Sequence, residues 1–237
     1  MQAIPKKISP CPILESVVEI RFETLFPSDA VFGMLYSRLS DQHKTFEKLP
    51  ILQIPEILRS QDPNLRYQPV YKLIDDDFWV QIGSNVISIV NVKGYVGWTL
   101  FSKRINVVLK HLNDSKIISK ITRFGIRYIS FFNLDIFEKI NFNLTLNGNT
   151  FPTEQLVLRS LLKREDFLIN LQVANKTIVN DFTEMGSIID IDTFLEDEDL
   201  TIYDIQSSLL ERSHLEQKKL FFGILNEEFL ASLNPEY

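Results

Sequence analysis

The sequence predicts an α+β fold in which antiparallel β-sheets pack against helices. Runs of alternating apolar and polar residues are joined by short turns, which antiparallel strands can use and parallel strands cannot. Segments with helical periodicity separate these runs, and the longest of them closes the chain. Because the order of elements is similar in both parts of the chain, we predict an N-terminal α+β half at 1–135 and a C-terminal α+β half at 136–237, within one compact unit.

The N-terminal half opens with a strand at Ile13–Glu23, where apolar and charged residues alternate. Pro27, Ser28 and Asp29 form a helix-start signal, and the spacing that follows predicts a helix over Ser28–Phe46. Prolines make the next stretch, Ile51–Arg66, irregular, so we expect a short strand and a loop there. Three antiparallel strands with Asp, Ser and Asn turns follow: Tyr67–Ile74, Phe78–Gly83 and Val86–Val92.

A second helix and the central strand complete this half. The helix is predicted over Trp98–Leu112, and the strand over Arg123–Phe132 reads RFGIRYISFF, rich in aromatic and β-branched residues. The apolar stripe of the helix is expected to contain Leu100, Ile105, Val108, Leu109 and Leu112.

The C-terminal half is predicted to contain further strands and a closing helix. Its strands are Asn141–Leu146, then Lys163–Ala174 and Ile178–Glu184 joined through Asn175-Lys176, and finally Ser187–Phe194. Asn147-Gly148-Asn149 is a strong turn signal. Periodicity leaves Pro152–Leu162 open as a short helix or a strand, whereas a long helix is predicted over about Ile202–Leu233.

Composition restricts the function classes. The chain has 237 residues with 45% apolar and 24% charged, enough for a core that needs no disulfide or metal. The chain has only eight glycines, compared with 18 phenylalanines, which argues against a glycine-rich phosphate-binding loop. Its net charge of -6 argues against nucleic acid as a generic ligand. We expect no cofactor.

The N-terminus and the single cysteine favour a cytoplasmic protein. Cys11 cannot form an internal disulfide, and the stretch MQAIPKKISP lacks the apolar core of a signal peptide. No apolar run has the length of a membrane span, so we expect no membrane association.

Two arginines on the central strand are the most informative charges. Arg123 and Arg127 lie where a buried strand normally carries none, and an unpaired buried charge costs several kcal/mol. We therefore expect carboxylate partners on neighbouring strands. The resulting cluster is either a structural ion-pair network or a ligand site, and it comprises Glu15, Glu19, Arg21, Arg123, Arg127, Asp190 and Asp192.

Chemistry at the same cluster is the alternative. Asp190 and Asp192 point the same way on a strand and, with Glu19, could hold Mg²⁺ while Arg127 contacts phosphate. That arrangement would suit a metal-dependent enzyme acting on nucleic acid or nucleotide. A nucleotide sensor would instead gather Arg21, Arg123 and Arg127 round an anion. The three histidines, His43, His111 and His214, fall in predicted helices without zinc-motif spacing, so we expect no metal site.

The order of short motifs resembles a sporadically distributed, functionally uncharacterised family of prokaryotic proteins of about this length. The matching segments are Pro12 with Glu15 and Ile20–Phe22, Tyr95–Trp98, Arg123–Ser130, Ile189–Asp192, and His214 with Phe221–Phe229. The chain departs from the family pattern with Cys11-Pro12 in place of a doubled proline and with Ser130 in place of an asparagine.

The resemblance implies a small stand-alone cytoplasmic protein with the patchy distribution of anti-phage defence or toxin-antitoxin genes, and it supplies no catalytic residues. The absence of a catalytic motif and the acidic charge lead to the same expectation. Our leading hypothesis is a non-enzymatic component of such an accessory system that acts through a protein partner. The sequence does not determine the oligomeric state.

Overall fold

A nine-stranded antiparallel sheet with packing helices is the main feature of the structure, a computed structural model that describes residues 3–43, 45–179, 184–197 and 199–237. The predicted α+β class is therefore confirmed. The strands are β1 (Ile13–Glu23), β2 (Thr45–Lys48), β3 (Tyr71–Ile74), β4 (Phe78–Ile82), β5 (Val86–Asn91), β6 (Lys120–Phe132), β7 (Thr145–Leu146), β8 (Asn149–Thr150), β9 (Val157–Arg164), β10 (Phe167–Val179) and β11 (Glu184–Leu195). The order in the large sheet is β2-β3-β4-β5-β1-β6-β11-β10-β9, and β7 pairs with β8.

The helices are α1 (Ser28–Leu39), α2 (Glu56–Gln61), α3 (Trp98–Ser115), α4 (Ile202–Asp204), α5 (Leu210–Ile224) and α6 (Glu227–Ser232). A π-helical turn at Ile205–Leu209 joins α4 to α5, so the helical segment runs unbroken from Ile202 to Ile224. Short 3₁₀ turns occupy Ser40–Gln42, Pro50–Gln53 and Ile136–Glu138.

The chain divides into two compact units, each built from separate stretches of sequence. The meander unit contains residues 15–126 and 194–211, and the terminal unit contains the described residues of 1–14, 127–193 and 212–237. The suggestion of two similar halves stays a prediction.

In the meander unit, the predicted antiparallel strands and the predicted long helix are both present. Strands β3, β4 and β5 form the predicted meander, and β5 pairs with β1 from Ser16 opposite Asn91 to Arg21 opposite Val86. Helix α3 contacts both α1 and β5. Leu100 was predicted to lie on the apolar stripe of α3, but this position is 58% exposed, whereas the other four predicted residues of the stripe are buried.

Two predictions in this unit are wrong. The first helix ends at Leu39 and not at Phe46, because residues 45–48 pair with β3 as the edge strand β2, with Thr45 opposite Ile74. Sequence periodicity cannot see that long-range pairing. The stretch Ile51–Arg66 contains a 3₁₀ turn and helix α2 in place of the expected strand, since Pro50 and Pro55 both stand where a helical turn begins.

In the terminal unit, the later part of Pro152–Leu162, which was left open as a helix or a strand, is a strand, because β9 covers Val157–Arg164. The hairpin turn predicted at Asn175-Lys176 is wrong. Strand β10 runs through both residues. A turn that was not predicted lies at Glu165-Asp166, inside the predicted strand Lys163–Ala174; it joins β9 to β10, and Glu165 adopts a φ of 50°. The predicted strand Ile178–Glu184 lies partly outside the described residues.

Other parts of this unit are shorter than predicted. The strand predicted at Asn141–Leu146 is reduced to Thr145–Leu146, although its Asn147-Gly148 turn is present with φ values of 51° and 80°. The closing helix stops at Ile224, because Asn226 caps a separate helix, α6, by accepting a hydrogen bond from the Phe229 amide.

One face of the terminal unit's strands packs against helices. Ile169, Leu171 and Val173 of β10 and Ile189 and Ile191 of β11 belong to a core cluster. That cluster is completed by the helical residues Leu220 and Phe229 and by Leu233, which directly follows α6. Because side chains alternate along a strand, the intervening residues of β10 and β11 lie on the opposite face.

Candidate functional site

In the meander unit, three of the predicted site residues form one ion-pair group. The side chain of Arg123 is 8% exposed, and its guanidinium donates to Glu19 at 2.9 Å. Arg21 donates to the same Glu19 oxygen at 2.7 Å. The Arg123 guanidinium also lies 4.5 Å from the centre of the Phe194 ring, so charge and aromatic contacts hold this side chain in place.

Gly125 is part of the same arrangement. A Cβ at this position would lie 2.7 Å from a terminal nitrogen of Arg123, closer than a side chain can approach. The glycine in RFGIRYISFF therefore makes room for the guanidinium two residues earlier.

Arg127 and Asp190 form a second ion pair, in the terminal unit. The Arg127 Nε and one terminal nitrogen donate to the two oxygens of Asp190 at 2.8 Å and 2.5 Å, a bidentate geometry. The two side chains differ in exposure, since Arg127 is 47% exposed and Asp190 only 11%. This pair therefore has a buried end and a solvent end.

The two remaining predicted residues, Glu15 and Asp192, lie on different strands. Glu15 lies on β1 in the meander unit, and Asp192 lies on β11 two residues from Asp190. The predicted residues thus fall into a group in each unit: Glu15, Glu19, Arg21 and Arg123 in one, and Arg127, Asp190 and Asp192 in the other.

A polar groove of about 380 Å³ brings Arg127, Asp190 and Asp192 together on the face of the terminal unit's strands that lies opposite the helices. Asn170 and Gln172 of β10 and Arg159 of β9 also line it. Arg159 is held by its cross-strand neighbour, because its Nε donates to the Gln172 side chain at 2.7 Å.

Sequence reasoning missed the β9 and β10 residues of this groove. Their signal was the alternation of polar residues at Asn170 and Gln172, which becomes informative only with the correct hairpin. With the turn at Glu165-Asp166, the register sets Arg159 opposite Gln172 and Leu161 opposite Asn170.

Strand β9 borders the groove and ends the order of the large sheet. Among the residues that the structure describes, β10 is its only neighbour in that sheet. Just before the strand, Leu156 C=O accepts a hydrogen bond from the Asn175 amide at 3.0 Å. Because hydrogen-bonded pairs alternate along an antiparallel ladder, every second residue from Leu156 bonds to β10. The residues between them direct their amide and carbonyl groups away from β10: Val157, Arg159, Leu161 and Lys163.

These outward-bonding residues are also the exposed ones. Val157 is 53% exposed and Leu161 is 60% exposed, and the basic residues Arg159 and Lys163 alternate with them. The strand as a whole, VLRSLLKR, has three basic residues and no acidic one. In a chain of net charge -6, this edge is a local reversal of charge.

Two of the three carboxylates that the metal-dependent alternative would use accept hydrogen bonds from arginines. Glu19 accepts from Arg21 and Arg123, and Asp190 uses both oxygens for Arg127. Within residues 3–43, 45–179, 184–197 and 199–237, no three His, Cys, Asp or Glu side chains are grouped as metal ligands would be.

The pKa of His214 on α5 lies far below its ordinary value. Its Nδ1 lies 3.2 Å from the Tyr128 hydroxyl, and burial together with the nearby positive charge of Lys218 lowers its pKa to about 3. This histidine is therefore neutral in the folded protein at pH 7.

The other two histidines belong to the meander unit. His43 was predicted to be helical, but it follows the 3₁₀ turn at Ser40–Gln42, and its Nε2 lies 3.0 Å from a terminal nitrogen of Arg104. Burial lowers the pKa of His43, and the Arg104 charge acts in the same direction. His111 of α3 contacts the Gln42 side chain at 2.9 Å.

Comparison of the sequence with protein-family models and with curated proteins found no match. In the described part of the chain, every helix is too short or too polar to span a bilayer.

Proposed function

We propose that this chain is a non-enzymatic binding protein that recognises an extended segment of a protein partner along strand β9. The observation that carries the proposal is the outward row of backbone groups at Val157, Arg159, Leu161 and Lys163. An edge strand with free amide and carbonyl groups accepts a further strand, whose main-chain hydrogen bonds supply affinity.

The side chains of the edge define the chemistry of the partner. Apolar Val157 and Leu161 alternate with basic Arg159 and Lys163. Directly opposed charges of opposite sign stabilise a strand pair, and apolar pairs do the same. The complementary segment is therefore an extended strand with Asp or Glu and apolar residues in alternation along one of its faces, that is, at every second position.

Pairing between two copies of β9 in the register centred on Leu161 is disfavoured by the same charges. Antiparallel pairing centred on Leu161 would set Arg159 of each copy opposite Lys163 of the other. Like charges in direct opposition destabilise a strand pair. In this register the edge is better suited to a different, acidic chain than to a second copy of itself.

The adjoining groove supports specificity. Arg127 is half-exposed with its guanidinium already oriented by Asp190, and Arg159 is oriented by Gln172. Side chains that are held in position before binding lose little conformational entropy on binding. Polar side chains of an added strand would enter this groove beside the backbone pairing.

We further propose that the protein works in the cytoplasm within an accessory system such as anti-phage defence or toxin-antitoxin. This extension rests on the motif resemblance to the sporadically distributed prokaryotic family. It does not affect the binding surface, which is argued from the contacts of β9 alone.

The test is affinity capture from the native host with the wild-type chain and a Leu161→Pro variant. Proline at this position removes an outward amide and leaves the β9–β10 ladder bonds in place. We expect a stoichiometric partner with the wild-type chain and at least a tenfold loss with Leu161→Pro.

Lys48→Pro is the matched control, because it removes an outward amide from β2, the strand at the other end of the sheet order. It should retain the partner. A partner that binds Leu161→Pro as well as it binds the wild-type chain contradicts strand addition at β9.

A further inference from the structure

A second pocket, of about 250 Å³, lies in the meander unit and is independent of β9 and the groove. Its walls come from the start of α1, from α2 and the loop that follows it, and from the turn between β4 and β5. The lining residues with charged or hydroxyl side chains include Thr24, Ser28, Glu56, Arg59, Arg66 and Ser84.

Two arginines give the pocket its cationic character. Arg59 is held by its Nε, which donates to the Ile54 carbonyl at 2.9 Å, so its terminal nitrogens remain for another acceptor. The Arg66 guanidinium lies 5.3 Å from the centre of the Tyr67 ring. In the described part of the chain neither arginine forms an ion pair with a carboxylate, in contrast to Arg123 and Arg127.

Neutral donors surround the same space. Thr24 Oγ1 accepts a hydrogen bond from the Phe26 amide at 3.1 Å, which leaves its O–H available as a donor. The hydroxyl of Ser84 is a further donor on the pocket wall. Helix α1 begins after Pro27, which provides no side-chain cap. The first backbone amide groups of that helix therefore lack a capping side chain as hydrogen-bond acceptor.

Glu56 is the one acidic side chain of the lining. Its carboxylate accepts a hydrogen bond from the Ser28 hydroxyl, which fixes it at the pocket wall. The charge balance of the lining is therefore two positive charges against one negative charge. An anion would be attracted to the pocket as a whole and repelled by Glu56.

We propose that this pocket binds the phosphate group of a small anionic ligand. Donors reach the space from helix, loop and turn, and this spread of directions suits a tetrahedral oxyanion better than a planar carboxylate. The site differs from the anion cluster expected from the sequence at Arg21, Arg123 and Arg127, because Arg21 and Arg123 bond Glu19 and Arg127 bonds Asp190.

The experiment is calorimetric titration of the full chain with pyrophosphate at low ionic strength, where screening is weak. We expect saturable 1:1 binding that Arg66→Ala weakens at least tenfold. Arg66 is exposed and is chosen because its loss should not disturb folding. Arg59→Ala should act in the same direction, and Glu56→Gln should tighten binding several-fold by removing the repelling charge.

Arg38→Ala is the matched control, because it removes one exposed arginine from α1 outside the pocket. It should change the affinity less than twofold. Three results would overturn the proposal: no saturable binding, an equal loss with Arg38→Ala and Arg66→Ala, or malonate binding at least as tightly as pyrophosphate. Each can occur with the β9 interaction intact.

Discussion

At the scale of single residues, we predict that removing Arg127 destabilises the protein more than removing its partner Asp190. Arg127→Ala leaves a carboxylate that is only 11% exposed without its two donors, and we expect a loss of about 3 kcal/mol in the free energy of unfolding. Asp190→Ala leaves a half-exposed guanidinium that water can solvate, so its cost should be about 1 kcal/mol. Urea unfolding at pH 7 measures both.

Arg212→Ala is the control for this comparison. Arg212 pairs with Asp166 at 2.5 Å, but both side chains are well exposed, so the loss should stay below about 1 kcal/mol. Equal losses in the free energy of unfolding for Arg127→Ala and Asp190→Ala would show that the burial of Asp190 does not determine the effect of breaking the pair.

The lowered pKa of His214 should make the free energy of unfolding depend on pH. Its pKa is about 3 in the folded protein and 6.5 as the ordinary value, so the unfolded chain takes up the proton first as the pH falls. The neutral histidine therefore stabilises the fold above pH 6.5, and this contribution is lost progressively below it. Between pH 7 and pH 5 the loss is about 2 kcal/mol.

Urea unfolding of the wild-type chain and His214→Gln at pH 7 and pH 5 tests this assignment. The variant should lose about 2 kcal/mol less than the wild-type chain over this interval. Parallel losses in the two proteins would assign the acid sensitivity to other groups.

Arg127 is 47% exposed, so burial does not require a partner for it. The need for a carboxylate partner of Arg123 could be predicted from the sequence at this scale, because a buried arginine cannot remain unpaired. Which carboxylate pairs with which arginine could not. Glu19 and Asp190 lie 104 and 63 residues from Arg123 and Arg127, and only the strand order brings them into contact. The role of Gly125 was equally hidden, since it depends on the path of the Arg123 side chain.

At the scale of elements, strand β9 allows a comparison of two adjacent prolines. Ser160 bonds to β10, so Ser160→Pro removes a ladder hydrogen bond and should destabilise the protein by about 3 kcal/mol. The Leu161 amide faces outward, so Leu161→Pro should cost less than about 1 kcal/mol. Thermal and urea unfolding measure both, and the reverse order would mean that the outward face of β9 is misassigned.

Elements with a strong local signal were predictable and those defined by distant pairing were not. Strand β1 and helix α3 carry clean periodicities of 2 and 3.6, so their positions follow from the sequence. Strand β2 was missed because four residues next to a helix carry no signal without β3. The β9–β10 turn was missed, and a strand was predicted through it, because Glu165 adopts a positive φ without being Gly or Asn.

At the scale of the whole molecule, an acidic chain contains a basic edge and a cationic pocket. The net charge of -6 argues against nucleic acid as a generic ligand, yet it does not reveal that β9 has three basic residues and no acidic one. Local charge becomes informative only when the sheet order identifies β9 as a terminal strand. The binding hypothesis could thus be reached from the sequence, whereas its surface could not.

The most direct test of strand addition is residue-resolved amide exchange of the free chain and of its complex with the captured partner. In the free chain the amides of Ser160 and Leu162 should be protected and those of Arg159 and Leu161 should exchange rapidly, because only the first pair bonds to β10. In the complex, Arg159 and Leu161 should become protected as well. Unchanged exchange at these two amides, with protection appearing elsewhere, would contradict the account.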